Sequence, residues 1–171
     1  MQVTTNRASR DTKSEPTAHR LVAGLGWGTV ATVLMSAVML LGTAVGAAPV
    51  PKPVPVALTS QTVGVPSQPV LLLMAGFAHL GYGAVAAAVL AGSVRRVSVW
   101  AGLGYGVLLW ALMGLVWLPY LGWGLFGIAV SPRVAVATLV PHLVYGTTVG
   151  LGLDRGHRPV RAGTTTGRGQ R

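Results

Sequence analysis

Between residues 16 and 153 the chain carries no carboxylate: its three acidic residues are Asp11, Glu15 and Asp154. That gap removes chemistry that needs acidic side chains, including paired-carboxylate acid–base catalysis, carboxylate-bridged di-iron sites and oxygen-rich Mg²⁺ or Ca²⁺ sites. It also removes the Asp/Glu proton relay of many coupled transporters. Cysteine is absent too, so thiolate metal centres and disulfides drop out. A non-enzymatic protein is therefore expected. Only 9% of the residues are charged, against about 25% in soluble domains. Within this stretch the basic residues Arg20, Lys52, Arg95, Arg96 and Arg133 bracket long uncharged runs. In hydrocarbon every backbone N–H and C=O must find its partner within the protein, which leaves helices or closed barrels. Unbroken apolar runs, rather than short alternating ones, select helices.

About 20 helical residues cross a bilayer core, and four stretches qualify: residues 21–45, 70–92, 98–118 and 134–153. The expected class is an all-α membrane protein with four transmembrane helices. Pro49, Pro51, Pro53, Pro55, Pro66 and Pro69 predict a loop over 49–69, with room for no more than a short interfacial turn of helix in PVALTSQTVG. Pro119 ends or kinks the third span. The Gly-rich LGWGLFGIAVSP that follows is too short to cross again, so residues 119–132 are expected to be interfacial or re-entrant. Residues 1–20 and 154–171 are polar and expected to be disordered tails. A leader cleaved after Gly46-Ala47-Ala48 is the rival reading of the first span. Its apolar stretch is long against the roughly 7–15 residues of a signal peptide, so a retained span is expected.

Four crossings put both tails on one side. That side collects eleven basic residues (four up to Arg20, then Arg95 and Arg96, then five from Arg155 onward), and the other only Lys52 and Arg133. Basic flanks stay in the cytoplasm, so a plasma-membrane protein with both termini cytoplasmic is expected, with Arg95, Arg96, Arg155 and Arg158 setting the topology. The net charge of +10 is then a topology signal and not a nucleic-acid surface. The expected partners are the bilayer, other membrane proteins or a second copy, and no nucleic acid. Trp27 and Trp100 fall near the inner boundary, and Trp117, Tyr120 and Trp123 near the outer one, as aromatic belts do.

Spans one and three open alike, with Gly24-Leu25-Gly26-Trp27-Gly28 against Gly102-Leu103-Gly104-Tyr105-Gly106. Spans two and four share Ala78-His79-Leu80-Gly81-Tyr82-Gly83 and Pro141-His142-Leu143-Val144-Tyr145-Gly146. The order predicts two tandem, similar hairpins related by an axis along the membrane normal. The glycine strings lack the spacing and the strand–helix context of a dinucleotide fingerprint. Gly24/Gly28, Gly102/Gly106 and Gly146/Gly150 are each four apart, on one helix face, and with Gly83 they predict close helix packing.

His79 and His142 stand at matched depth near mid-membrane, each followed on the same face by Tyr (Tyr82, Tyr145) and Gly (Gly83, Gly146). Such groups should face the bundle interior. Three roles stay open. One is a neutral imidazole bonded to Tyr105, Ser36, Thr32 or a backbone carbonyl. The second is a bis-histidine haem or other metal site. The third is the polar lining of a path for a lipid, quinone or small solute. No cofactor is expected on the first and third.

The motifs His79-Leu80-Gly81-Tyr82-Gly83, Trp117-Leu118-Pro119 and His142-Leu143-Val144-Tyr145-Gly146 resemble those of a family of small, uncharacterised four-span bacterial and archaeal membrane proteins. Its members carry His-Leu-x-Tyr/Phe-Gly in spans two and four. The resemblance covers about residues 21–153 and implies the four-span fold without an activity. The leading expectation is a non-enzymatic scaffold, assembly factor or partner subunit. A small-solute or lipid transport or binding protein and a haem- or quinone-linked redox component are the alternatives.

Because the chain has no cysteine, single cysteines report topology cleanly. In sealed right-side-out vesicles a membrane-impermeant maleimide is expected to label Ser131→Cys and spare Ser93→Cys; the reverse pattern inverts the orientation.

Overall fold

A computed structural model describes residues 17–64 and 66–155. Among them the chain is all-helical: α1 (Thr17–Ala44), α2 (Val54–Val63), α3 (Gln68–Ser93), α4 (Val99–Tyr120) and α5 (Arg133–Arg155). Four of these, α1, α3, α4 and α5, are long and apolar enough to cross a membrane. Their outward faces are apolar, with Phe77 74% and Leu73 62% exposed, as suits a hydrocarbon surrounding rather than water. The structure pairs α1 with α3 and α4 with α5, and joins the two hairpins chiefly through α1 and α5. The starts of α1 and α4 and the ends of α3 and α5 lie together at one end of the bundle, the terminal end. The other is the loop end.

Small residues hold each hairpin together. A β-carbon on Gly28 would sit 2.6 Å from the carbonyl oxygen of Gly83 and 2.8 Å from Cα of Ala84, and one on Gly24 would sit 2.7 Å from Cα of Ala88. In the second hairpin the same test brings Gly102 onto the Gly146 carbonyl and within 2.8 Å of Gly150 Cα, and Gly106 onto the His142 carbonyl. With no hydrophobic drive between helices in lipid, this close approach maximises dispersion contact. It also admits Cα–H···O=C contacts of about 0.5–1 kcal/mol each. The middle glycines of the two strings, Gly26 and Gly104, face open space.

The hairpins are stitched by their matching aromatics. Trp27 of α1 lays its ring against Gly152 of α5, and its counterpart Tyr105 of α4 donates to the Ala86 carbonyl of α3 at 2.9 Å. Each aromatic thus reaches from the first helix of its hairpin to the second helix of the other, the relation expected of a pseudo-two-fold axis. Trp27 is therefore a packing residue, whereas Trp100 is 81% exposed. A core of Ala31, Ala87, Leu90, Val97, Val149 and Leu153 fills the terminal end.

Four boundaries differ from the sequence expectation. Residues 17–20 belong to α1 rather than to a tail, and Arg20 donates to the carbonyls of Ala91 and Val94 at the end of α3. A guanidinium there satisfies carbonyls the helix leaves unpaired and complements its dipole. Asp154 and Arg155 likewise belong to α5 rather than to a tail, and residues 1–16 and 156–171, with Arg158, lie outside the described residues. Residues 54–63 form a helix rather than loop, because Pro55 sits in the first turn, where the missing N–H has no intrahelical partner to lose. The third span runs one residue beyond Pro119, with its turn Met113–Trp117 in π register. Pro119 cannot donate to Leu115, and the N–H of Leu118 reaches Met113 instead.

Residues 121–132 fold back on the loop end. Gly122, Gly124 and Gly127 take positive φ, and Phe126 places its ring in the notch at Gly114, 4.7 Å from the Trp110 ring. Trp123 packs with Val54, Met113, Leu118 and Val134 in a second, smaller core.

Gly102→Ala is expected to destabilise the bundle by about 1–3 kcal/mol through overpacking. Gly104→Ala, on the open face, is expected to be neutral or stabilising by up to about 1 kcal/mol. Thermal unfolding in detergent, followed by circular dichroism, separates the two.

Candidate functional site

The glycine contacts close the terminal half of the bundle, and the loop half stays apart. Two backbone irregularities lie in that loop half, both in the second hairpin. The π turn of α4 runs over Met113–Trp117. Pro141 stands inside α5 and removes the N–H that would pair with the Ala137 carbonyl. Met113, Trp117, Ala137 and Pro141 all line a cavity of about 280 Å³. All four spans contribute to its wall, and α2 contributes Val54, Pro55, Leu58 and Thr59. For scale, about 150 Å³ accommodates a benzene molecule.

His79 and His142, from different hairpins, line this one cavity together with Tyr82, Tyr145 and Gly83. The repeated motif thus converges on a single space. Its two copies do different work there. Tyr145 is 2% exposed and donates to the Gly83 carbonyl at 2.6 Å, a third stitch between the hairpins. Tyr82 is 46% exposed.

The imidazoles differ as well. His142 Nδ1 lies 2.8 Å from the Thr138 carbonyl oxygen one turn back. A carbonyl only accepts, so Nδ1 carries the proton, and in the neutral ring Nε2 keeps a free lone pair. His79 Nε2 is buried without a hydrogen-bond partner, and a buried polar atom left so is costly. Neither ring bonds to the side chains considered from sequence. Tyr105 donates to Ala86, and Thr32, 1% exposed, donates to Gly28 at 2.7 Å.

The glycines of the sequence reading lie where small residues are needed: Gly24, Gly28 and Gly83 between α1 and α3, and Gly102, Gly106, Gly146 and Gly150 between α4 and α5. Of these only Gly83 touches the cavity. Arg95, Arg96 and Arg155 are exposed at the terminal end.

Sequence reasoning passed over three lining residues, Met35, Met39 and Met113. The signal was present for the first pair, which stand four apart on the face that carries Thr32. It also read Trp117 as a belt aromatic. Among the described residues no three of His, Cys, Asp and Glu are grouped, so thioethers rather than carboxylates accompany the imidazoles.

No family model, curated protein or solved structure matches the chain.

Tyr145→Phe removes one buried stitch and is expected to lower stability by about 0.5–1.7 kcal/mol, whereas Tyr82→Phe is expected to change it by less than about 0.5 kcal/mol. Denaturant titration in mixed micelles compares them.

Proposed function

We propose that this chain is a membrane-embedded binding protein for a small solute, which lodges in the cavity shared by the two hairpins and enters past α2. The observation that carries this reading is the convergence of His79 and His142, one from each copy of the repeat, on one space walled by every span. A scaffold or partner subunit needs neither a cavity nor two imidazoles lining it, so that reading leaves the paired histidines without a task. The role is binding or passage rather than covalent catalysis.

The closed terminal half and the space beside α2 give the site one side of entry. In this proposal the protein lies in the plasma membrane with its termini cytoplasmic, so α2 covers the site from outside. The relation to four-span proteins with His-Leu-x-Tyr/Phe-Gly motifs belongs to the same proposal, since both copies of that motif face the site.

Native mass spectrometry of the full chain released from its membrane is expected to show a retained solute or ion. Ala137→Phe, which sets a ring into the cavity, is expected to abolish the adduct without loss of helical content. A bare wild-type chain, or an adduct indifferent to Ala137→Phe, overturns the reading.

A further inference from the structure

Besides Met1 the chain has four methionines, Met35, Met39, Met74 and Met113. Three of them line the cavity that holds both span histidines, while Met74 lies apart, 38% exposed. From this juxtaposition of two imidazoles and three thioethers, we propose that the cavity binds a soft monovalent metal ion, Cu(I), through His79 and His142 with one or two of the thioethers of Met35, Met39 and Met113. The inference rests on the binding-cavity reading above and names its solute.

The donor chemistry selects the ion. Thioether sulfur is a soft ligand that favours Cu(I), and imidazole suits copper as well. Every one of these donors is neutral, so the charge of the filled site is that of the ion alone. The penalty for taking an ion out of water grows with the square of its charge, which favours a monovalent over a divalent ion in an apolar bundle. Carboxylate, the group that would offset a second charge, is missing from the whole of residues 16–153.

The imidazoles are arranged for the task. Metal-bound histidines commonly donate their other ring N–H to a carbonyl, which fixes the tautomer and aims the lone pair. His142 makes that bond through Nδ1 to Thr138. His79 Nε2, buried and unpartnered, gains in a metal ion the partner that the protein does not supply. Met35 and Met39 share one face of α1, and Met113 opens the π turn of α4. Their unbranched side chains adapt readily in shape, so a cavity larger than one ion can close around it.

The test uses the full chain in detergent. Cu(I) is held reduced by ascorbate under nitrogen and competed against bathocuproine disulfonate, with Ag(I) as a redox-inert stand-in. One ion per chain is expected. Altering groups that merely support metal ligands weakens binding about 10- to 100-fold, and at least that loss is expected for His79→Leu and for Met35→Leu/Met39→Leu. The methionine pair is a volume-conserving change, so it keeps the fold if His79→Leu does not. Met74→Leu is expected to bind as wild type. X-ray absorption of the copper-loaded wild type is expected to show both nitrogen and sulfur scatterers. Since the chain has no cysteine, that sulfur is methionine.

A shell of nitrogen and oxygen alone overturns the proposal, as does binding that survives both variants, which moves the ion to His19 or His157. Absence of metal binding with an organic adduct that Ala137→Phe removes overturns the metal assignment and keeps the cavity reading. Absence of any adduct overturns both.

Discussion

Two pairs of helices whose backbones touch set the rest of this structure. Helix association in lipid has no hydrophobic drive, so it depends on how closely two surfaces approach. Gly24 and Gly28 let α1 approach the backbone of α3, and Gly102 and Gly106 do the same for α4 and α5. Because these glycines stand near the starts of α1 and α4, each hairpin is tight at its terminal end. The larger side chains beyond them, Met35 and Met39 on α1 and Met113 on α4, line a wider space. A bundle built this way is tight at one end and keeps its cavity toward the other by virtue of where its glycines fall.

The duplicated sequence does not make the halves equivalent. The glycine contacts and the Trp27 and Tyr105 stitches obey the repeat. The π turn, Pro141 and the notch at Gly114 that receives Phe126 belong to the second hairpin alone. One tyrosine of the repeated motif is buried as a structural bond while the other stays half-exposed, and one histidine has a carbonyl partner while the other has none. The repeated motif carries the two imidazoles, and the irregular turns of the second hairpin line the same cavity as both.

The spans, the hairpin order, the packing glycines and the inward histidines were legible in the sequence. Each is a periodicity or a composition, and a helix carries those along a single chain. Only a short turn of helix was legible at 54–63 because six prolines over 49–69 count against helix, although in the first turn of a helix proline breaks nothing. The turn before Pro119 could be expected to distort, but not to take π register. The methionines were invisible as a group for a different reason. Met35 and Met39 are neighbours on one helix, but Met113 joins them only through the packing of four helices, and no spacing along the chain encodes that meeting. The packing role of Trp27 was hidden for a related reason, since a tryptophan near a span end reads the same whether it faces headgroups or a glycine on a neighbouring helix.

The central claim is that the glycine faces bring the helix backbones of each hairpin into contact. Magic-angle-spinning NMR of the chain in lipid bilayers, with glycine Cα labelled by ¹³C, addresses it directly. The account predicts through-space cross-peaks between Gly102 and Gly150 and between Gly106 and Gly146, with none from Gly104 to α5. Missing Gly102–Gly150 and Gly106–Gly146 peaks in a folded sample, or a Gly104 peak in their place, would contradict it.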